Sequence, residues 1–93
     1  MKFVWNSKKA AANLKWHGVS FAEARKAFYD SHSVAEPDEE HSWYEQRYQL
    51  IGLSGQRLLF VVYTEQDDET LRLISAREAE PSERRKYYEE QEW

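Results

Sequence analysis

Hydrophobic residues recur along this chain with two periods, a helical one in the first third and a strand-like one after residue 45. The opening Lys2-Phe3-Val4-Trp5 reads as a short strand. Asn6 is placed to cap a helix in which Ala10, Leu14 and His17 fall at three- and four-residue spacing, and Gly18 ends it. Ser20-Phe21-Ala22-Glu23 has the form of a capping box, in which a serine and a glutamate satisfy each other's backbone N–H, and it starts a second helix. Phe21, Ala24, Ala27 and Phe28 form the expected buried stripe of that helix. Asp30 to Ser33 breaks the pattern. Ser33-Val34-Ala35 then reads as a brief strand before the acidic loop Glu36-Pro37-Asp38-Glu39-Glu40.

Residues 45–53 carry Tyr48, Leu50 and Ile51 and read as a strand, with Ser54-Gly55-Gln56 turning into a second one over Arg57 to Thr64. Its run Leu58-Leu59-Phe60-Val61-Val62 is unbroken, as expected of a strand covered on both faces, so it belongs at the centre of a sheet. Asp67-Asp68 makes the next turn and Thr70 to Ala76 the next strand. Pro81 opens the final helix, with Glu83 in its first turn where the helix dipole favours acid. The order is β-α-α-β-β-β-β-α. It predicts an α+β fold, an antiparallel sheet packed by two N-terminal helices and one C-terminal helix.

Ninety-three residues suit one domain, 1–93, since a chain this short has little surface-to-volume margin for two cores. The 41% hydrophobic content supports a core and the 32% charged content a solvated surface. No run is long and apolar enough for a membrane span or a secretory leader, so the expected location is the cytoplasm, with no membrane partner. The absence of cysteine removes disulfides, thiolate metal sites and cysteine nucleophiles. A net charge of −4 weighs against general affinity for nucleic acid, which rests on Lys and Arg displacing counterions. Much of the acid is grouped in Glu36 to Glu40, Glu65 to Glu69 and Glu89 to Glu92, which leaves room for a basic face between them.

The richest chemistry lies near the end. The strand Leu71-Arg72-Leu73-Ile74-Ser75-Ala76-Arg77 runs into Pro81-Ser82-Glu83-Arg84-Arg85-Lys86-Tyr87-Tyr88. Guanidinium forks suit phosphate and tyrosine rings suit bases, a combination fit for RNA, although the same residues also suit a solvated sheet edge and a packed helix. His32, Asp38 and His41 match no familiar metal-ligand spacing. Three glycines leave no room for a phosphate-cradling loop or a nucleophile elbow, so kinase, nucleotide-hydrolase and α/β-hydrolase chemistry is set aside.

Four ordered segments carry a family resemblance: Phe3-x-Trp5 before a helix, Asn13-Leu14-x-x-His17-Gly18-Val19-Ser20-Phe21, His41-Ser42-x-x-Glu45-x-Arg47 before Ile51-Gly52, and Ile74-Ser75-Ala76-Arg77. Together they resemble the BrnT toxin family over almost the whole chain. The resemblance implies a RelE-like fold and a cytoplasmic ribonuclease toxin of a bacterial type II toxin–antitoxin module. It also implies a BrnA-type antitoxin as direct partner and operator DNA contacted only through that antitoxin. No cofactor is implied. The alternative is a degenerate homologue that only binds an antitoxin, a reading that the net acidity and the acidic Glu78 to Pro81 stretch would suit.

A metal-free ribonuclease must deprotonate a ribose 2′-hydroxyl, stabilise charge on the phosphate and protonate the leaving oxygen. Arg47, Arg72 and Arg77 are candidate stabilisers, and His17 or Glu45 the candidate base. Strict alternation puts Arg72 and Arg77 on opposite faces, so a bulge is needed to unite them. Of the adjacent tyrosines one is expected to pack and the other to stack on a base, with Tyr87 grouped with the catalytic residues and Tyr88 with the RNA contacts. Lys15, Arg84 and Arg85 are further candidate phosphate contacts. Trp16, Trp43, Tyr44 and Trp93 are candidate partner contacts, with core packing as the competing role for Trp16 and Trp43.

Overall fold

In the computed structural model, which describes residues 1–91, the Asn6 side chain accepts hydrogen bonds from the backbone N–H of Lys8 and Lys9. It thereby starts α1 (Ser7–His17), which Gly18 ends in the left-handed conformation with φ of 69°. The Ser20 hydroxyl accepts from the Glu23 N–H at 3.0 Å and starts α2 (Phe21–Lys26). The Glu23 carboxylate does not close the reciprocal half of the box. It pairs instead with Arg57 at 2.9 Å and ties the helix to the sheet.

Five strands follow the expected order around these helices: β1 (Lys2–Val4), β2 (Val34–Pro37), β3 (Arg47–Ser54), β4 (Arg57–Asp67) and β5 (Thr70–Glu78). The last helix is α3 (Pro81–Glu89). The sheet order is β1-β5-β4-β3-β2, with β4 at the centre as its unbroken apolar run predicts. β2 to β5 pair antiparallel, and β1 adds a parallel edge to β5 through Lys2–Thr70 and Val4–Arg72. Trp93, one of the expected partner contacts, lies outside the described residues.

Each face of the sheet carries its own apolar cluster. On one face α1 and α2 bury Val19, Phe21, Ala24 and Ala27 against Leu50, Leu59, Val61, Leu73 and Ala76. Burying side chains the size of Phe21 or Leu59 contributes roughly 1.5–3 kcal/mol each. Gly52 permits this contact, because a Cβ there would lie 2.6 Å from the Ala27 carbonyl oxygen. On the opposite face α3 covers one end, where Tyr87 packs on Ile51 and Leu58 beside Leu53 and Phe60.

Two details of β5 decide what the rest of that second face carries. Val62 pairs with Ser75 while Tyr63 pairs with Leu73, so Ile74 is an extra, unpaired residue. This bulge reverses the alternation, keeping Leu73 and Ala76 together in the helix-covered core and Arg72 and Arg77 together on the opposite face. The edge of β5 beyond the reach of β1 is closed by the buried Asn13. Its amide bonds the Ala76 N–H and C=O at 3.0 and 2.8 Å and the Val19 carbonyl at 2.9 Å, as a neighbouring strand would.

Candidate functional site

The half of the second face that α3 leaves open is organised in rows across three strands. Arg47, Thr64 and Arg72 are direct neighbours in one row, and Gln49, Val62 and Ser75 form the next. Thr64 is buried and donates its hydroxyl to the Gln46 carbonyl at 2.7 Å, which holds the row's centre. Two guanidinium groups thus stand on β3 and β5, the strands on either side of β4, facing the same way, an arrangement suited to holding a phosphate.

A loop between β2 and β3 rises beside this row and is closed at its base. The Asp38 N–H donates to the Arg47 carbonyl at 2.8 Å. Ser42 bridges the two ends, its hydroxyl accepting from the Arg47 N–H at 2.9 Å and donating to the Asp38 carbonyl at 2.5 Å. Within the loop the His41 Nδ1 meets the carboxylate of Asp38 at 3.1 Å, and that carboxylate is buried. An Nδ1–H donated to Asp38 fixes the ring and leaves Nε2 toward solvent to give or take a proton. Asp38, His41, Arg47, Val62, Ile74 and Ser75 line one shallow depression of about 190 Å3.

Glu45 leans from the same loop across the arginine row. Both of its carboxylate oxygens lie 2.6 Å from an Arg72 terminal nitrogen, and one lies 3.7 Å from Arg47 Nε. The Arg72 hydrogen bond holds the Glu45 carboxyl below the usual carboxylate range, and the Arg47 charge acts in the same direction. Arg47 Nε is itself buried without a hydrogen-bond partner. A buried donor left open costs about 1–3 kcal/mol, so the site favours an incoming acceptor. Glu45 occupies, in effect, the place of an anion between two cations.

The other expected site residues lie apart from this group. Arg77 shares the face but sits two rows from Arg72, roughly 13 Å along the strand direction at the usual rise per residue. Its guanidinium bonds Glu83 at 2.8 Å through both terminal nitrogens, meets Glu80 at 3.2 Å and lies over the Phe60 ring. Hydrogen bonding to Glu83 raises its pKa further, and Arg77 acts as the brace that holds the start of α3 on the sheet. Tyr87 requires a similar correction. It is 3% exposed, and its hydroxyl donates to Asp30 at 2.6 Å, so it packs α3 on the sheet and offers nothing to a substrate.

Tyr88 is the exposed member of that pair, with the Arg84 guanidinium over its ring, and Arg85 is exposed on the same helix. His17 ends α1 in a second depression with Lys9, Ala12, Asn13, Trp16 and Ile74, so it adjoins the arginine row across Ile74 without joining it. Lys15 is exposed, its ammonium 5.4 Å from the Trp16 ring. Trp16, Trp43 and Tyr44 are all exposed rather than packed in the core. Trp43 and Tyr44 line a further depression together with His41 and Arg47.

The residues that sequence reasoning missed as chemistry are His41, Asp38 and Ser42. For His41 and Ser42 a signal was present in His41-Ser42-x-x-Glu45-x-Arg47, where one short stretch carries an imidazole, a carboxylate and a guanidinium. His32 lies elsewhere, 3.9 Å from Asp30, and among the described residues no three His, Asp or Glu side chains gather to hold a metal ion. A larger surface depression, about 550 Å3 beside β2, is lined by Ser31 to Ala35 with Glu90 and Gln91. It presents no Lys or Arg, so it does not compete as a phosphate site.

Comparison with known proteins covers most of the chain. A family model described as "Ribonuclease toxin, BrnT, of type II toxin-antitoxin system" matches residues 5–83. Among solved structures, the chain is similar to the Brucella abortus ribonuclease toxin BrnT, with 25% sequence identity and a TM-score of 0.68. That match covers 86% of this chain and 97% of the other. No curated protein matches the chain.

Proposed function

Since the chain belongs to the BrnT family of ribonuclease toxins of type II toxin–antitoxin systems, we propose that it is an endoribonuclease whose site is the open arginine row and the loop beside it. The observation that carries this reading is the cluster of Arg47, Arg72, Glu45 and the His41–Asp38 pair on one exposed face. A phosphate entering between Arg47 and Arg72 displaces Glu45 from Arg72 and gives Arg47 Nε the acceptor it lacks. Freed of that hydrogen bond, Glu45 becomes a stronger base. It takes the proton of the ribose 2′-hydroxyl, and the oxygen attacks phosphorus while the two guanidinium groups stabilise the added charge. His41, held by Asp38 through Nδ1, gives a proton from Nε2 to the departing 5′-oxygen. The products are a 2′,3′-cyclic phosphate and a 5′-hydroxyl.

No metal takes part in this scheme, because every role has a side chain. Lys15, Arg84, Arg85 and Tyr88 lie outside the cluster as outer RNA contacts, and His17 flanks it. Neutralisation is assigned to direct binding of a BrnA-type antitoxin, with Trp16 among the surfaces available to it. Operator DNA is reached through that antitoxin, in keeping with the net charge of −4 on this chain.

Inducible expression of wild type and Arg47→Ala tests the reading, with growth, total RNA integrity and soluble protein followed together. Growth arrest and RNA cleavage by wild type alone are expected, with rescue by the antitoxin. Healthy growth and intact RNA with wild type at matched soluble expression would favour the non-catalytic, antitoxin-binding homologue instead.

A further inference from the structure

The two most exposed large apolar side chains among the described residues are Trp43 at 81% and Tyr44 at 97%, and they are sequence neighbours in the loop that carries His41 and Glu45. Neither ring stacks on another aromatic ring among the described residues. Their exposure is not the result of a loose segment. Ser42 on one side and Gln46 on the other are tied down, Gln46 Nε2 donating to the Arg47 carbonyl at 3.0 Å and to the Ser42 hydroxyl at 3.2 Å. The chain thus holds the backbone of this short stretch at both ends while leaving its two rings in water, a disposition that packing does not explain.

The surroundings say what the rings can take. Trp43 and Tyr44 share a depression of about 190 Å3 with His41 and Arg47, the proposed acid and one of the proposed phosphate-holding groups. A π face beside a guanidinium matches one nucleotide, the base on the ring and the phosphate on the cation. A duplex covers both faces of each base, so only an unpaired base fits such a place. We infer that Trp43 and Tyr44 form a base-stacking subsite next to the scissile phosphate and restrict the substrate to single-stranded RNA. This rests on the ribonuclease reading of the site. A protein partner would use the same rings differently, as an apolar anchor without need of the adjoining guanidinium.

The test uses the purified chain, free of antitoxin, with a single-stranded 2′-O-methyl oligonucleotide of mixed sequence and the same strand annealed to its complement. Affinity is followed by anisotropy, with cleavage of unmodified single-stranded RNA measured alongside. Trp43→Ala is expected to weaken single-strand binding by roughly 5- to 150-fold, the range of one lost base stack, and Trp43→Phe to recover most of it. Tyr44→Ala reports the second ring should Trp43→Ala accumulate poorly, and wild type is expected to prefer the single strand to the duplex. If both alanine variants bind and cleave single-stranded RNA as wild type does, the subsite is overturned while the ribonuclease reading stands. The same holds if they lose antitoxin affinity alone. If wild type neither binds nor cleaves RNA, the underlying reading falls and the subsite with it.

Discussion

Tyr87→Phe separates a packing role from a catalytic one by removing a single oxygen atom. The ring keeps its place against Ile51 and Leu58, so no cavity forms. What is lost is the 2.6 Å hydrogen bond to Asp30, whose carboxylate also accepts from the backbone N–H of Leu53 at 2.8 Å and of His32 at 2.9 Å. Burial alone would raise the Asp30 carboxyl, but the hydrogen bonds from Tyr87, Leu53 and His32 outweigh it and bring the group below its ordinary value. It is therefore a carboxylate at neutral pH, and a hydrogen bond to a charged acceptor contributes about 1.5–3 kcal/mol. For a domain of this length that corresponds to a fall in Tm of roughly 8–16 °C for 2 kcal/mol. Because the folded-state pKa is depressed, this stabilisation is present above the ordinary carboxyl range and fades as the pH falls through it. The gap between wild type and variant should therefore narrow below about pH 4. Thermal unfolding by circular dichroism at pH 7 and pH 3, with RNA cleavage measured well below the variant's Tm, checks all three points. An unchanged Tm would refute the hydrogen-bond argument, and loss of cleavage by folded Tyr87→Phe would restore the tyrosine to the catalytic group.

Ser42→Ala removes the two hydroxyl links across the base of the site loop and leaves only the Asp38 N–H to Arg47 carbonyl bond of those described there, and cleavage should fall on the order of 10²-fold, as for catalytic groups displaced by an ångström, with a much smaller loss of Tm. Cleavage equal to wild type would show that Ser42 does not position His41. Asn13→Ala leaves the Ala76 N–H and C=O and the Val19 carbonyl without partners, so chemical denaturation should reveal a loss of roughly 3 kcal/mol or more. A loss below about 1 kcal/mol would mean that the β5 edge is satisfied without it. Cleavage should persist in excess EDTA, and complete inhibition that returns with a divalent cation would refute the metal-free scheme. Because Arg72 holds Glu45 ionised, kcat/KM should decline on the acid side only below the ordinary carboxylate range, roughly pH 4, in wild type. Arg72→Ala should move that acid limb upward, and an unmoved limb would detach Glu45 from it.

Local signals carried most of the architecture. Asn6, Gly18, Ser20 and Pro81 mark element ends through interactions confined to a few residues, and the apolar run of β4 announced its central place. The parallel pairing of β1 with β5 left no trace in the alternation pattern, because it joins segments at opposite ends of the chain. The same limit applies to Asn13, whose partner Ala76 is 63 residues away. Alternation alone placed Arg72 and Arg77 on opposite faces, and the bulge at Ile74 is a property of pairing with β4 that β5 alone does not encode. Tyr87 and Arg77 were legible as residue types suited to RNA, while their engagement in packing α3 was not, since Asp30 and Glu83 claim them only once that helix docks. His41 stood beside a serine and ahead of Glu45 and Arg47 in plain view. Its meaning emerged when the loop closed on Asp38.

In the proposed mechanism, cleavage comes from the loop and the arginine row acting together. The most direct measurement is end-group analysis of RNA treated with purified wild type, Glu45→Gln, His41→Ala, Arg47→Ala and Arg72→Ala, each confirmed as folded. Wild type is expected to leave 2′,3′-cyclic phosphate and 5′-hydroxyl ends, and each variant to lose on the order of 10²-fold or more in rate. Undiminished cleavage by the variants, or fragments bearing 5′-phosphates, would contradict that mechanism.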